Sequence, residues 1–226
     1  FTKFVADKIR LRVKDPVIAE KLIPKDHGFG TRRVPMETNY YEAYNRDNVY
    51  LIDINDTPIE RITKAGIKTT EHEFAFDIIV YATGFDAITG AFDRIDFTGV
   101  AGRKLADKWI DGPLTYLGLQ STGFPNLITL AGPQGGSVAT NFPRGIEEAV
   151  DWATALLKHV RKNGYNRVEP TEAAEEEWTA HVKQTYEWSL LGNAKSWFTG
   201  YNSNVDGHDK VRYMIYNGGA LRYRKR

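Results

Sequence analysis

Two adjacent arginines, Arg32 and Arg33, lie in a loop that also carries Gly28 and Gly30. A guanidinium is a permanent cation with a planar fork of donors, so two together can grip a phosphate or stabilise an oxyanion. The ordinary alternative is a solvated basic pair with no ligand. A second candidate is Gly132-Pro133-Gln134-Gly135-Gly136-Ser137. It follows the apolar run Leu127–Ala131 and precedes a helical pattern that opens at Asn141-Phe142-Pro143. Strand, glycine-rich loop and helix together present backbone N–H groups and a positive helix end to an electron-rich ligand. There is no Gly-Lys-Ser/Thr in the loop, so nucleotide hydrolysis is not indicated. A third candidate is Phe76–Asp86, in which Ile78–Tyr81 ends in Ala82-Thr83-Gly84. The β-branched run predicts a strand buried on both faces. Gly84, with no Cβ, lets backbone pass close to a flat or charged group.

Several chemistries are excluded or disfavoured. The 226 residues contain no cysteine, which removes disulfides, thiolate metal sites and a cysteine nucleophile and fits a reducing, cytoplasmic compartment. The histidines at 27, 72, 159, 181 and 208 show no metal-ligand spacing, and no metal is expected. A serine-hydrolase Gly-x-Ser-x-Gly is absent. The net charge of +1 gives no electrostatic case for a nucleic acid or a membrane surface. No apolar run approaches the roughly 20 residues of a membrane span. The acid run Glu172, Glu175, Glu176 and Glu177 reads as a solvated face complementing a helix dipole, not as a catalytic carboxylate pair.

The elements that must position these residues follow from periodicity. Phe4, Val5, Ile9 and Val13 predict a helix over 3–14, and Asp15-Pro16 a cap and first turn for a second, through Leu22. Tyr40, Tyr41 and Tyr44 lead into a turn at Asn45–Asn48, and Val49–Ile52 reads as a strand. Ile59–Thr63 and Ile67–Thr69 flank Lys64-Ala65-Gly66 as a hairpin. Ile95–Val100 and Leu127–Ala131 are further predicted strands, and Val211–Tyr216 alternates partly like one. Ile146, Val150, Ala153, Leu157 and Val160 define the core face of a helix ending at Asn163-Gly164. Thr171 caps another, whose Trp178, Val182 and Trp188 are candidates for the core. The basic tail Arg222–Arg226 is expected to be partly disordered.

Taken in order, these segments resemble the C-terminal part of Baeyer–Villiger monooxygenases, class B flavoproteins of the phenylacetone, cyclohexanone and steroid type. The likeness covers essentially the whole chain. It rests on Asp15-Pro16 with Lys21–Pro24, Gly30-Thr31-Arg32-Arg33, Tyr40-Tyr41-Glu42 with Asn45–Val49, and Ala82-Thr83-Gly84-Phe85-Asp86. Gly112-Pro113 with Tyr116–Gly118, Gly123–Leu127, Ala131-Gly132-Pro133 and Ser196–Gly200 complete the set. The resemblance implies an α/β fold: the C-terminal fragment of a two-dinucleotide-binding-domain, Rossmann-like FAD/NAD(P) flavoprotein with a mainly helical C-terminal region. Residues 1–75 would be the tail of the NADP-binding domain with linker and hairpin. Residues 76–165 would be the C-terminal part of the FAD-binding domain, and 166–226 a helical and loop region.

It further implies FAD and NADPH as cofactors, a ketone and O2 as substrates, and an ester or lactone formed through a C4a-peroxyflavin. Arg33 would be the active-site arginine and also contact NADP. Arg32 stands where the family usually has lysine against the 2′-phosphate of NADP, and Trp197 matches an NADP-contacting tryptophan. Thr83, Gly84, Gly132, Pro133, Asn141 and Phe142 would lie on the FAD side. The chain departs from the family in having no Gly-x-Gly-x-x-Gly, none of the His-Thr and Trp-Pro fingerprint, and Ser203–Gly207 in place of Asn-x-Pro-Gly-Lys. The expectation is therefore a chain lacking the N-terminal half of its parent, inactive alone and without tight FAD binding. Two other readings stay open: a flavin monooxygenase that oxidises nitrogen or sulfur, and a non-catalytic remnant or binding domain.

Overall fold

The computed structural model describes residues 1–136 and 141–226, in two compact units, Phe1–Gly84 and Phe85–Arg226. In the first unit, α1 (Thr2–Arg12) and α2 (Pro16–Leu22) are joined by a two-residue cap. Asp15 accepts from the backbone N–H of Val17 and Ile18, and Pro16 occupies the first turn, where its missing N–H costs nothing. Ala6, Ile9 and Val13 pack on Ala19 and Ile23. Arg12 clamps Glu42 through Nε and a terminal nitrogen at 2.5 and 2.7 Å, and Asn45 donates to the Arg12 carbonyl at 2.7 Å. These bonds fasten the short helix α3 (Tyr40–Ala43) to the first pair. The hairpin is present as β1 (Ile59–Ile62) and β2 (Gly66–Thr69), extended by β3 (Glu73–Ala75), which the sequence pattern did not foretell. The sheet is antiparallel in the order β1-β2-β3.

Two strand expectations in this unit fail. Val49–Ile52 is irregular. Phe76–Asp86 is neither a strand nor buried: Ile78 is 80% and Val80 83% exposed. Among the described residues, 77–86 make no backbone hydrogen bond. A strand is defined by a neighbour that takes its N–H and C=O groups, and none of the described residues does so for this run.

The second unit begins with two short helices, α4 (Gly90–Asp93) and α5 (Leu105–Lys108), and is built around α6 (Phe142–Lys162) and α7 (Glu172–Glu187). Its main core joins Ala149, Trp178, Val182 and Tyr186 to Leu117, Leu119, Phe198 and Met214–Tyr216. A smaller core holds Leu105, Trp109 and Phe124. The helix α6 starts at Asn141 and stops at Asn163, as periodicity and caps predict. Its buried stripe is Gly145, Ala149 and Ala153, so Val150 and Leu157 of the predicted core face are exposed instead. Small residues at i, i+4, i+8 admit close packing, which outweighs side-chain size in choosing the face. Thr171 caps α7, its hydroxyl accepting from the N–H of Ala174 at 3.2 Å.

Other expectations here also change. Trp188 is exposed, while Trp178 and Val182 are buried. The runs 95–100, 127–131 and 211–216 contain no strand. The first has a single bridge, Thr98 to Lys104, and the last is held by isolated bonds such as Arg212 N to Thr199 O at 2.8 Å. The start of the basic tail, Arg222 and Tyr223, lies in α8 (Ala220–Tyr223); Tyr223 donates to the Leu117 carbonyl at 2.6 Å, and Arg224, just after the helix, pairs with Glu148. Glu175 contradicts the solvated reading of the acid run. It is buried on Lys108 at 2.7 Å, and one of its oxygens accepts from the Thr122 N–H at 2.9 Å. No helix among the described residues is long and apolar enough to cross a membrane.

Candidate functional site

The arginine pair of the first unit lines a cleft of about 520 Å³ with His27, Phe29, Tyr40 and Tyr41, floored by Val5, Ala6 and Ile9 of α1. Ala6 and Ile9 also belong to the buried α1–α2 core, and residues of the glycine loop and of α3 complete the lining. Arg32 is oriented by Asp26, whose Oδ2 accepts from the guanidinium at 2.9 Å while its Oδ1 lies 2.7 Å from His27 Nδ1. The His27 hydrogen bond and the charge of Arg32 hold the Asp26 carboxyl below the ordinary range. Arg32 Nε is buried without a hydrogen-bond partner. Arg33 is exposed and, among the described residues, pairs with no carboxylate. A buried donor with no acceptor and a free cation beside aromatic rings form a donor set suited to a phosphate-bearing, ring-containing ligand. Thr83 and Gly84, at the end of the same unit, are exposed. Gly84 has φ +89°, and open space surrounds the position of an added Cβ, so its backbone face is free for a ligand.

In the second unit the predicted residues separate into two kinds. Asn141 caps α6, accepting from the Arg144 N–H at 3.4 Å, and Phe142 and Trp197 are both partly exposed. These three can meet a ligand. Gly132 and Pro133 are buried in their own chain: a Cβ on Gly132 would lie 2.3 Å from the Gly118 carbonyl oxygen and from Thr129 Oγ1. Ser137, the last residue of the predicted loop, lies outside the described residues. Trp197 opens a tight turn, Trp197–Thr199, closed by reciprocal Ser196 and Thr199 bonds and by Gly200.

One grouping was invisible in sequence. Asp86, Asp93 and His208 bring their ligand atoms within 4.8 Å of one another, with His208 Nδ1 3.3 Å from Asp86. Asp93 is exposed as a residue, but desolvation by the atoms crowding its carboxyl, and then the charge of Asp86, pushes that carboxyl up. A raised folded-state value means that ionised Asp93 opposes folding. The penalty is absent at pH below the ordinary aspartate range and complete once pH passes the raised value. Asp93→Asn is therefore expected to raise the melting temperature near pH 7 and to lose that advantage near pH 3. Calorimetry at the two pH values checks it; an equal shift at both would contradict it.

No family model matches the chain. Curated relatives cover it almost entirely. It is 50% identical over 223 residues to 2-oxo-Δ3-4,5,5-trimethylcyclopentenylacetyl-CoA monooxygenase of Pseudomonas putida, which spans 99% of this chain and 41% of that protein. It is 44% identical over 223 residues to cyclopentanone 1,2-monooxygenase of Comamonas sp., 98% of this chain and 40% of that one. Phenazine N-monooxygenase of Lysobacter antibioticus is 36% identical over 98% of the chain and 40% of its own length. Among solved structures, OTEMO in complex with FAD and NADP superposes with a TM-score of 0.89 at 49% identity, over 99% of this chain and 41% of that one. The chain thus spans about two fifths of the length of the relatives it matches. It is homologous along that length to a C-terminal part of Baeyer–Villiger monooxygenases.

Proposed function

We propose that the protein to which this chain belongs is a FAD- and NADPH-dependent Baeyer–Villiger monooxygenase, inserting one oxygen atom of O2 beside a ketone carbonyl. The observation that carries the reading is the cleft holding Arg32 and Arg33, with an unsatisfied buried guanidinium nitrogen and a cation unpaired among the described residues, in a chain 50% identical to a monooxygenase. Arg32, in the first unit, would take a phosphate of NADP through its guanidinium; Trp197, in the second unit, is a further NADP contact by the family resemblance alone. Thr83, Gly84, Asn141 and Phe142 would meet FAD directly, and Gly132 and Pro133 would shape the turn behind it. Bound FAD, once reduced by NADPH, supplies the activated oxygen.

The chain's own residues do the rest. Arg33 keeps a permanent positive charge at a site where the ketone oxygen gains negative charge as the new bond forms, an interaction stronger in the transition state than in the ground state. In the second unit, taken by itself, the start of α6 presents a positive dipole end beside Asn141, which would favour an anionic reduced flavin. The aromatic and apolar walls of the cleft favour an apolar, cyclic ketone and limit water.

The same reading assigns 1–75 to the NADP-binding domain, 76–165 to the FAD-binding domain and 166–226 to a C-terminal region. The exposed, unpaired run 77–86 supports this, because it has the composition of an inner strand and needs the sheet that the rest of the parent would supply. A cytoplasmic location fits the absence of cysteine. A second reading, oxidation of an aromatic nitrogen, is favoured by one observation, the 36% identity to phenazine N-monooxygenase. Supplying the complete protein with NADPH and either cyclopentanone or phenazine separates the two. Lactone from the ketone is expected; N-oxide alone would overturn the first reading.

A further inference from the structure

We infer that Gln134 is a positioning residue, whose buried amide fixes the turn at Gly132–Gly136 in the one shape that sets the flavin-side surface. The inference rests on the reading of the protein as a FAD-dependent oxygenase and deepens it. Gln134 is 1% exposed and sits in the left-handed backbone region at φ +63°. Its side-chain oxygen accepts from Thr115 Oγ1 at 2.9 Å and Thr179 Oγ1 at 3.4 Å. Its side-chain nitrogen donates to the carbonyls of Pro113 at 2.7 Å and Tyr213 at 3.4 Å. Carbonyls can only accept, so they fix which end of the amide is nitrogen. The backbone N–H donates to the Met214 carbonyl at 2.8 Å. Every hydrogen-bonding position of the amide is therefore used, by partners from three distant stretches: 113–115, α7, and 213–214.

Glycines close the clamp from the other side. A Cβ on Gly118 would lie 2.2 Å from the Gly135 nitrogen, so the turn and the 115–118 segment touch backbone to backbone. A core position that served only packing would take an apolar side chain of the same volume, because a buried amide gains little net stability over one. What a fully bonded amide adds is a single permitted backbone arrangement. Here the arrangement is an otherwise unfavourable one for a residue with a side chain. Gln134 lies directly after Gly132 and Pro133 and seven positions before Asn141 in sequence, among residues assigned to the FAD side.

The test uses the complete protein with Gln134→Leu, Gln134→Glu and Thr115→Val. The readouts are ester formed per NADPH consumed, counted per bound flavin, the visible circular dichroism of the flavin, and the melting temperature. Both Gln134 variants are expected to lower coupling roughly tenfold or more and to alter the flavin dichroism, with KM for NADPH held within about twofold. Thr115→Val, which deletes one bond of the set, should shift both in the same direction by less. A lower melting temperature with coupling and dichroism unchanged would overturn the inference. If the Gln134 variants fail to fold, Thr115→Val decides by the same two readouts. Wild-type protein that binds flavin but oxygenates no ketone would contradict the proposed reaction instead, and the dichroism comparison would still judge Gln134.

Discussion

Replacing Arg33 by alanine in the complete protein is expected to lower ketone oxygenation roughly 100- to 1,000-fold while NADPH still reduces the flavin at close to the normal rate. The magnitude is that of removing one preorganised charge or donor aimed at a developing oxyanion. Arg33 lines the cleft with no carboxylate partner among the described residues, so its deletion leaves no orphaned acid and little cost to folding. The same isolation separates it from Arg32, which is already tied to Asp26. Arg33→Lys keeps the charge but loses the planar fork and should recover only part of the activity. Stopped-flow flavin reduction with product analysis distinguishes the steps. Undiminished oxygenation in Arg33→Ala would remove the role given to this residue.

The largest expected effect on stability comes from Lys108→Met. Lys108 and Glu175 are 8% and 6% exposed and 2.7 Å apart, and Lys108 also donates to the Thr122 carbonyl at 2.7 Å. Removing the lysine strands a carboxylate away from water, which costs roughly 3–5 kcal/mol. Replacing both, by Lys108→Met with Glu175→Leu, removes the stranded charge and is expected to recover a large part of the loss. The Thr122 N–H that Glu175 accepts would then go unpaired, which limits the recovery. Denaturant unfolding of the two variants against the parent sequence measures the difference. Equal losses in the single and double variants would show that the pair is not the source.

Helices were legible wherever a cap and a period agreed. Asp15 with Pro16, Asn141 with Pro143 and Thr171 each satisfy backbone donors within three residues, and that information is local. Strands were legible only in the hairpin, for the same reason: β1 and β2 are neighbours in sequence. The runs 76–86, 95–100, 127–131 and 211–216 carry strand composition but no partner strand, and pairing is a property of two segments, not one. The burial of Glu175 was illegible because Lys108 lies 67 positions away and nothing local distinguishes Glu175 from Glu172 or Glu176. Asp86, Asp93 and His208 were missed likewise: the histidine lies far from both acids in sequence. In the candidate site, the arginine pair could be found from residue type and glycine context alone. That Gly132 and Pro133 face inward, and that Gln134 holds them, depends on Gly118, Thr129 and Tyr213, which only the fold brings near.

The central claim is that this chain forms part of a ketone-oxygenating flavoprotein. The most direct test supplies the complete protein with NADPH, cyclopentanone and isotopically labelled O2, followed by mass analysis of the product. A lactone carrying one labelled oxygen atom is expected, formed roughly 100- to 1,000-fold more slowly in Arg33→Ala. A lactone without label, or labelled oxygen recovered only as hydrogen peroxide and water, would contradict it.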